Sequence, residues 1–146
     1  MCEDGWLSFL IGDEINCLKN FGPIQLSDAT THCDSLNAKQ VLPRSGQESD
    51  DLKLALLSLN LDSTKADILV SIGIYKTKEG EWHDSAGQPI AYFNWLLDQL
   101  EYFSDNLNYA GLRINRTNES AGWAKYNSTN ELNVVCTKRA GHGKRF

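Results

Sequence analysis

The spacing of hydrophobic positions changes near residue 65. Before it, Leu52, Ala55, Leu56 and Leu59 recur at i, i+3, i+4 and i+7, one face of a helix, with Ser49 or Asp50 placed to cap it. An earlier helix is expected after Pro23, with Ser27 as N-cap, Asp28 in the first turn, and Ala29, Cys33 and Leu36 on one face. Ahead of both, residues 5–10 and 17–21 read as two short strands around the turn Gly12-Asp13-Glu14, a hairpin that Pro23 ends. Residues 43–46, from Pro43 to Gly46, break the chain between the helices. After Lys65 strands take over. Residues 68–75 are rich in β-branched side chains, and 91–93, 111–114, 122–126 and 133–137 are further candidates. Residues 96–108 lack clean periodicity. Helices early and strands late give an α+β class.

Composition narrows the function. The 146 residues suit one domain with a real core, and 41% apolar content is that of a globular chain. No apolar run approaches the roughly 18 residues that span a bilayer. A net charge of −5 argues against nucleic acid and anionic membrane as partners. Four cysteines stand at 2, 17, 33 and 136 without a Cys-x-x-Cys. Such a set suits two disulfides in an oxidising compartment, or four buried thiols in a reducing one. The acidic start Met1-Cys2-Glu3-Asp4 is no signal peptide, so the chain reads as excised from a longer precursor.

The apolar run Ser71-Ile72-Gly73-Ile74 is followed by Gly80-Glu81-Trp82-His83-Asp84 and then Tyr92-Phe93-Asn94-Trp95. This series resembles the centre of a C-type lectin-like domain, and Cys2-Glu3-Asp4-Gly5-Trp6 is similar to the start of the family's long form. The resemblance covers residues 2 to about 138 and leaves 139–146 as a flexible tail. It implies two helices with small antiparallel sheets and a long loop region. It also implies bridges Cys33–Cys136 and Cys2–Cys17, and hence an extracellular module, secreted or part of an ectodomain.

Sugar-binding members carry Glu-Pro-Asn or Gln-Pro-Asp after the Asn-Trp and Trp-Asn-Asp later, which supply oxygens to calcium. Calcium needs about 6–8 of them. Here Trp95 is followed by Leu96-Leu97-Asp98-Gln99 with no proline, and the later motif is Trp123-Ala124-Lys125. Ala124 offers no oxygen, and Lys125 brings a cation where a carboxylate is needed. Gln88-Pro89 lies on the wrong side of Trp95. No calcium or other cofactor is therefore expected. The family's second disulfide is also missing, its positions falling near Gly111 and Ser128. The loop is then less tethered, or packed by Leu100, Tyr102, Phe103 and Leu107.

Other constellations are weaker. Asp98, Glu101, Asp105, Asn106 and Asn108 lack EF-hand spacing and read as a solvated loop. His83, Asp84 and Ser85 are consecutive on a turn, so their side chains point apart, and no Gly-x-Ser-x-Gly occurs. An enzyme is not expected. Asn115, Asn118 and Asn127 open N-glycosylation sequons. Trp6, Trp82, Trp95 and Trp123 read as core.

The expected function is calcium-independent recognition of a protein, with a carbohydrate-binding lectin using a non-standard site as the alternative. The candidate contact residues are Tyr102, Phe103, Asp105, Asn106, Lys125 and Tyr126. Loops on a rigid scaffold carry recognition, aromatic rings supply contact area, and Lys125 can meet a carboxylate. The competing role for Phe103 and one tyrosine is to fill the space left by the missing disulfide.

Overall fold

The computed structural model describes residues 2–59, 61, 64–99 and 106–140. It opens with a hairpin, β1 (Leu7–Ile11) and β2 (Glu14–Gln25). Gly12 turns it with φ 63°, a conformation glycine adopts without a Cβ penalty. β2 does not stop at Pro23. The register shifts between Asn20 and Pro23, and Gly22 at φ 82° donates its N–H to Asn20 Oδ1 at 3.0 Å. A bulge of this kind accepts a proline that an uninterrupted ladder would exclude.

Helix α1 (Leu26–Asp34) starts two residues earlier than expected, with Gln25 rather than Ser27 at the N-cap. No side chain caps it. The Leu26 and Ser27 N–H groups instead donate to Asn130 O and Ser128 O, from the far end of the chain. Helix α2 (Gly46–Ser58) is capped by Ser45, whose side chain accepts from Glu48 N, not by Ser49 or Asp50. Glu48 Oε1 reaches back to Arg44 N at 3.0 Å, so both ends of a Ser-x-x-Glu device are in use. Leu52, Ala55 and Leu56 are buried as their spacing requires.

The short β3 (Lys39–Gln40) precedes α2, and β4 (Asp67–Lys76) follows it. Ile68, Val70, Ile72 and Ile74 on β4 enter the main core. Then come β5 (Trp82–Asp84), β6 (Tyr109–Asn115), β7 (Ala121–Tyr126) and β8 (Glu131–Arg139). Residues 91–93 form no strand. Trp95 alone bridges to Trp123, in parallel. Arg139 and Ala140, expected in the tail, lie on the sheet: Arg139 pairs with Asn16, and Ala140 N donates to Ile15 O. Residues 141–146 lie outside the described residues.

Among the described residues the strands form one sheet of eight, ordered β1-β2-β8-β4-β6-β7, with β3 on β8 and β5 on β4. Pairings between these strands are antiparallel except the join at Val70↔Asn133 between β4 and β8. There the buried Asn133 donates its Nδ2 to Leu69 O at 3.1 Å, which satisfies a polar group inside the core. A second cluster packs Ala29, Cys33 and Ala38 of the α1 side against Val134 and Cys136. Both bridges implied by the family likeness are present: Cys33–Cys136 links α1 to β8, and Cys2–Cys17 links the N-terminus to β2. No helix among the described residues is long and apolar enough to cross a membrane.

Candidate functional site

The candidate site lies where the segment after Trp95 runs along β7. Trp123 N donates to Asn94 O at 2.8 Å, and Leu96 N donates to Trp123 O at 2.9 Å. A Cβ on Gly122 would collide with Leu96, so the glycine is what lets this segment close on the strand. The aromatic residues then stack inward. Trp123 is fully buried, with Trp95 edge-on at 5.6 Å and Trp82 beyond it, 5.0 Å from Trp95.

A single 3-10 turn, Leu97–Gln99, follows. It is held by Lys125 twice over. Lys125 N donates to Gln99 Oε1 and Lys125 Nζ to Gln99 O, each at 3.0 Å. The ammonium also stands 5.2 Å from the centre of the Trp95 ring. Partial burial, and secondarily the charge of Lys76, lower the Lys125 pKa. Around this anchor Leu97 is 86% exposed, and Phe93, whose ring packs on Trp95 and Trp123, is 41% exposed. Leu97 carries no signal in the sequence, and Phe93 appears there only as part of the Tyr92-Phe93-Asn94-Trp95 motif. Nothing in the pair Leu96-Leu97 tells which leucine inserts against Gly122 and which is left in water.

Of the six expected contact residues, Tyr102, Phe103 and Asp105 lie outside the described residues. Asn106 is exposed ahead of β6. Lys125 and Tyr126 are neighbours on a strand, so their side chains leave it on opposite faces. Lys125 goes to Trp95 and Gln99. Tyr126 goes inward, where its Cε2 would stand 3.0 Å from a Cβ on Gly111 and its hydroxyl is buried without a hydrogen-bond partner among the described residues. Leu132 Cδ2 crowds the same point at 2.7 Å. The Gly111 position of the missing disulfide is thus filled by a tyrosine and a leucine.

His83, Asp84 and Ser85 form no relay. His83 Nε2 is 3.3 Å from Glu81, while Asp84 takes bonds from Arg44 Nη2 and from Ala86 N and Gln88 N. Among the described residues no three His, Cys, Asp or Glu side chains gather as metal ligands would. Of the sequon asparagines, Asn115 donates its Nδ2 to Asp67 Oδ1 at 3.2 Å, whereas Asn118 and Asn127 sit in turns.

The Lectin C-type domain profile matches residues 23–138. No curated protein matches the sequence. Solved structures match in fold. The C-type lectin domain of murine dendritic cell inhibitory receptor 2, solved in complex with N-glycan, is 19% identical, with a TM-score of 0.69 over 96% of this chain and 100% of that one. Human lithostathine is 17% identical, with a TM-score of 0.72 over 96% and 92%. The C-type lectin CEL-I from Cucumaria echinata is 19% identical, with a TM-score of 0.68 over 94% and 96%. With its two helices, mixed sheet and two disulfides, the chain belongs to the C-type lectin domain family.

Proposed function

We propose that this recognition module works without calcium and binds a protein through the face around Leu97, Phe93 and Lys125. The observation that carries the reading is the Lys125 ammonium bonded to Gln99 O at 3.0 Å. A fixed positive charge between the post-Trp95 segment and β7 repels a divalent cation there, and Ala124 beside it adds no side-chain oxygen. The exposed Leu97 and Phe93 favour a protein surface, since an apolar anchor ringed by polar groups is the usual centre of such contacts. Two disulfides favour an extracellular location, where they persist.

A second reading, carbohydrate binding away from the Lys125 face, has one observation in its favour. A cavity of about 470 Å³ between α1 and the end of β4 is lined by Ser27, Thr30, Tyr75, Ser85, Tyr109 and Ser128. Hydroxyls and tyrosine rings suit a sugar, and the murine relative above was solved with an N-glycan.

The deciding experiment presents the immobilised domain to an extracellular protein library and to a glycan array, each with calcium and with chelator. The expected result is protein binding that survives chelation and is lost in Leu97→Asp. Glycan binding that requires calcium would overturn the proposal, and glycan binding that survives chelation would favour the second reading.

A further inference from the structure

The cavity between α1 and the end of β4, about 470 Å³, has a charge opposite to that of the molecule. The chain carries −5 overall. Among the described residues that line the cavity, Lys76 is the one ionic side chain. A smaller cavity adjoins it, with Thr30, Gln40 and Gly73 in the walls of both. The charged groups of the smaller one are paired, Lys39 with Asp34 at 3.6 Å and Arg44 with Asp84 at 2.9 Å.

The polar wall has a direction. Gln40 Oε1 is an acceptor, so the hydroxyl of Ser71, buried on β4, donates to it. The other end of the same amide, Gln40 Nε2, donates to Thr30 Oγ1 at 2.8 Å. The run Ser71–Gln40–Thr30 therefore ends on a hydroxyl whose oxygen already accepts. Its proton finds no acceptor among the described residues. Thr30 lines both cavities, so the run delivers a hydrogen-bond donor to whatever enters them. Gly73 leaves room for the amide, since a Cβ there would stand 3.2 Å from Gln40 Cβ.

Lys76 connects the cavity to the Lys125 face. Its N–H donates to Asn108 O at 2.9 Å, which fixes the end of β4 against the start of β6. On the other side of β6, Ala110 pairs with Lys125. The two lysines repel each other, and an anion beside Lys76 offsets that repulsion. We propose, resting on the protein-binding reading, that this cavity receives an acidic segment of the protein partner, a glutamate or aspartate carboxylate set against Lys76 and a further oxygen on the Thr30 hydroxyl. A carboxylate is an acceptor only, and it brings the charge that matches the lysine. A neutral sugar would leave that charge unused. The volume exceeds one acidic side chain, so the backbone that carries it has room as well.

The test titrates the isotope-labelled full chain with three probes and follows its amide chemical shifts. The probes are acetyl-diglutamate amide, acetyl-diglutamine amide and D-glucose. The expected result is that the acidic peptide shifts the Thr30, Lys76 and Ser85 amides with a Kd of about 1 mM. It should bind about tenfold tighter than the glutamine peptide, the scale of a charge-assisted hydrogen bond. Lys76→Gln should abolish that preference, and Lys76→Arg should keep it. Thr30→Val should weaken the acidic peptide, and Thr30→Ser should not. The two peptides on the wild type decide the matter even where a variant is unstable. Leu97→Asp should leave the peptide titration unchanged, so this test and the Leu97 test fail separately. Equal binding of the two peptides, shifts confined to residues 96–99, no shift with any probe, or tighter binding of glucose at these amides would each overturn the proposal.

Discussion

Arg44 Nη2 donates to Asp84 Oδ2 at 2.9 Å and so ties the approach to α2 to the turn after β5. Burial alone would raise the Asp84 pKa. The N–H groups of Gln88 and Ala86 and the guanidinium of Arg44 outweigh it and hold the carboxyl below its ordinary value of 3.8. A carboxylate depressed in this way stabilises the fold above the unfolded pKa, and that contribution is lost as pH falls through the folded one. Asp84→Asn should cost about 1–3 kcal/mol at neutral pH. The gap to wild type should narrow below pH 3.8. Urea denaturation at pH 7 and about pH 3 reads it. An equal gap at both would show that ionisation plays no part.

Gly111→Ala should destabilise the domain by about 1–3 kcal/mol, the usual cost of overpacking. Its Cβ would press on Leu132 Cδ2 and Tyr126, and it would stand 3.2 Å from the carbonyl oxygen of Val70, which cannot swing aside. The denaturation midpoint should fall with an unchanged m-value. An unaffected midpoint would mean that Tyr126 repacks freely.

Millimolar calcium should leave the melting temperature where chelator leaves it. A ligand at a hundred times its Kd stabilises by about 2.7 kcal/mol, which a thermal scan resolves easily. A rise of that size would locate a calcium site outside the Lys125 anchor.

Glycan should appear at Asn127 and not at Asn115 when the chain is secreted from a eukaryotic host. The Asn115 Nδ2, the atom that takes the sugar, is bonded to Asp67. Asn127 uses only its Oδ1, toward Thr129 and Asn130. Peptide mass mapping after enzymatic deglycosylation reads the occupancy, and a glycan on Asn115 would show that the Asp67 bond gives no protection.

The sequence was most legible where one pattern dominates. The β-branched run of β4 and the leucine spacing of α2 both appear in the fold as read. The start of α2 is written in Ser45-Gly46-Gln47-Glu48 as well, but the adjacent breakers Pro43 and Gly46 mask the capping pattern. The start of α1 was not. Its capping carbonyls come from Ser128 and Asn130, and no local pattern carries a contact over that distance. β3 and β5 are two and three residues long, too short to show an alternation. At the candidate site the replaced calcium motif pointed to Lys125. The alternation of a strand would also have separated Lys125 from Tyr126. That Leu97 is the exposed member of its pair depends on Gly122, a packing fact with no sequence signature.

The parallel join of β4 to β8 at Val70↔Asn133 has a covalent counterpart. Both disulfides fall on the β1-β2-β8 side of it, one within the N-terminal hairpin and one between α1 and β8. The β4-β5-β6-β7 side, which carries Trp95, Leu97 and Lys125, has no cross-link of its own. Reducing the protein would therefore slacken the half that supports the site before it touched the site. Substitutions around Leu97 are limited by side-chain fit alone, with no sulfur bridge to accommodate.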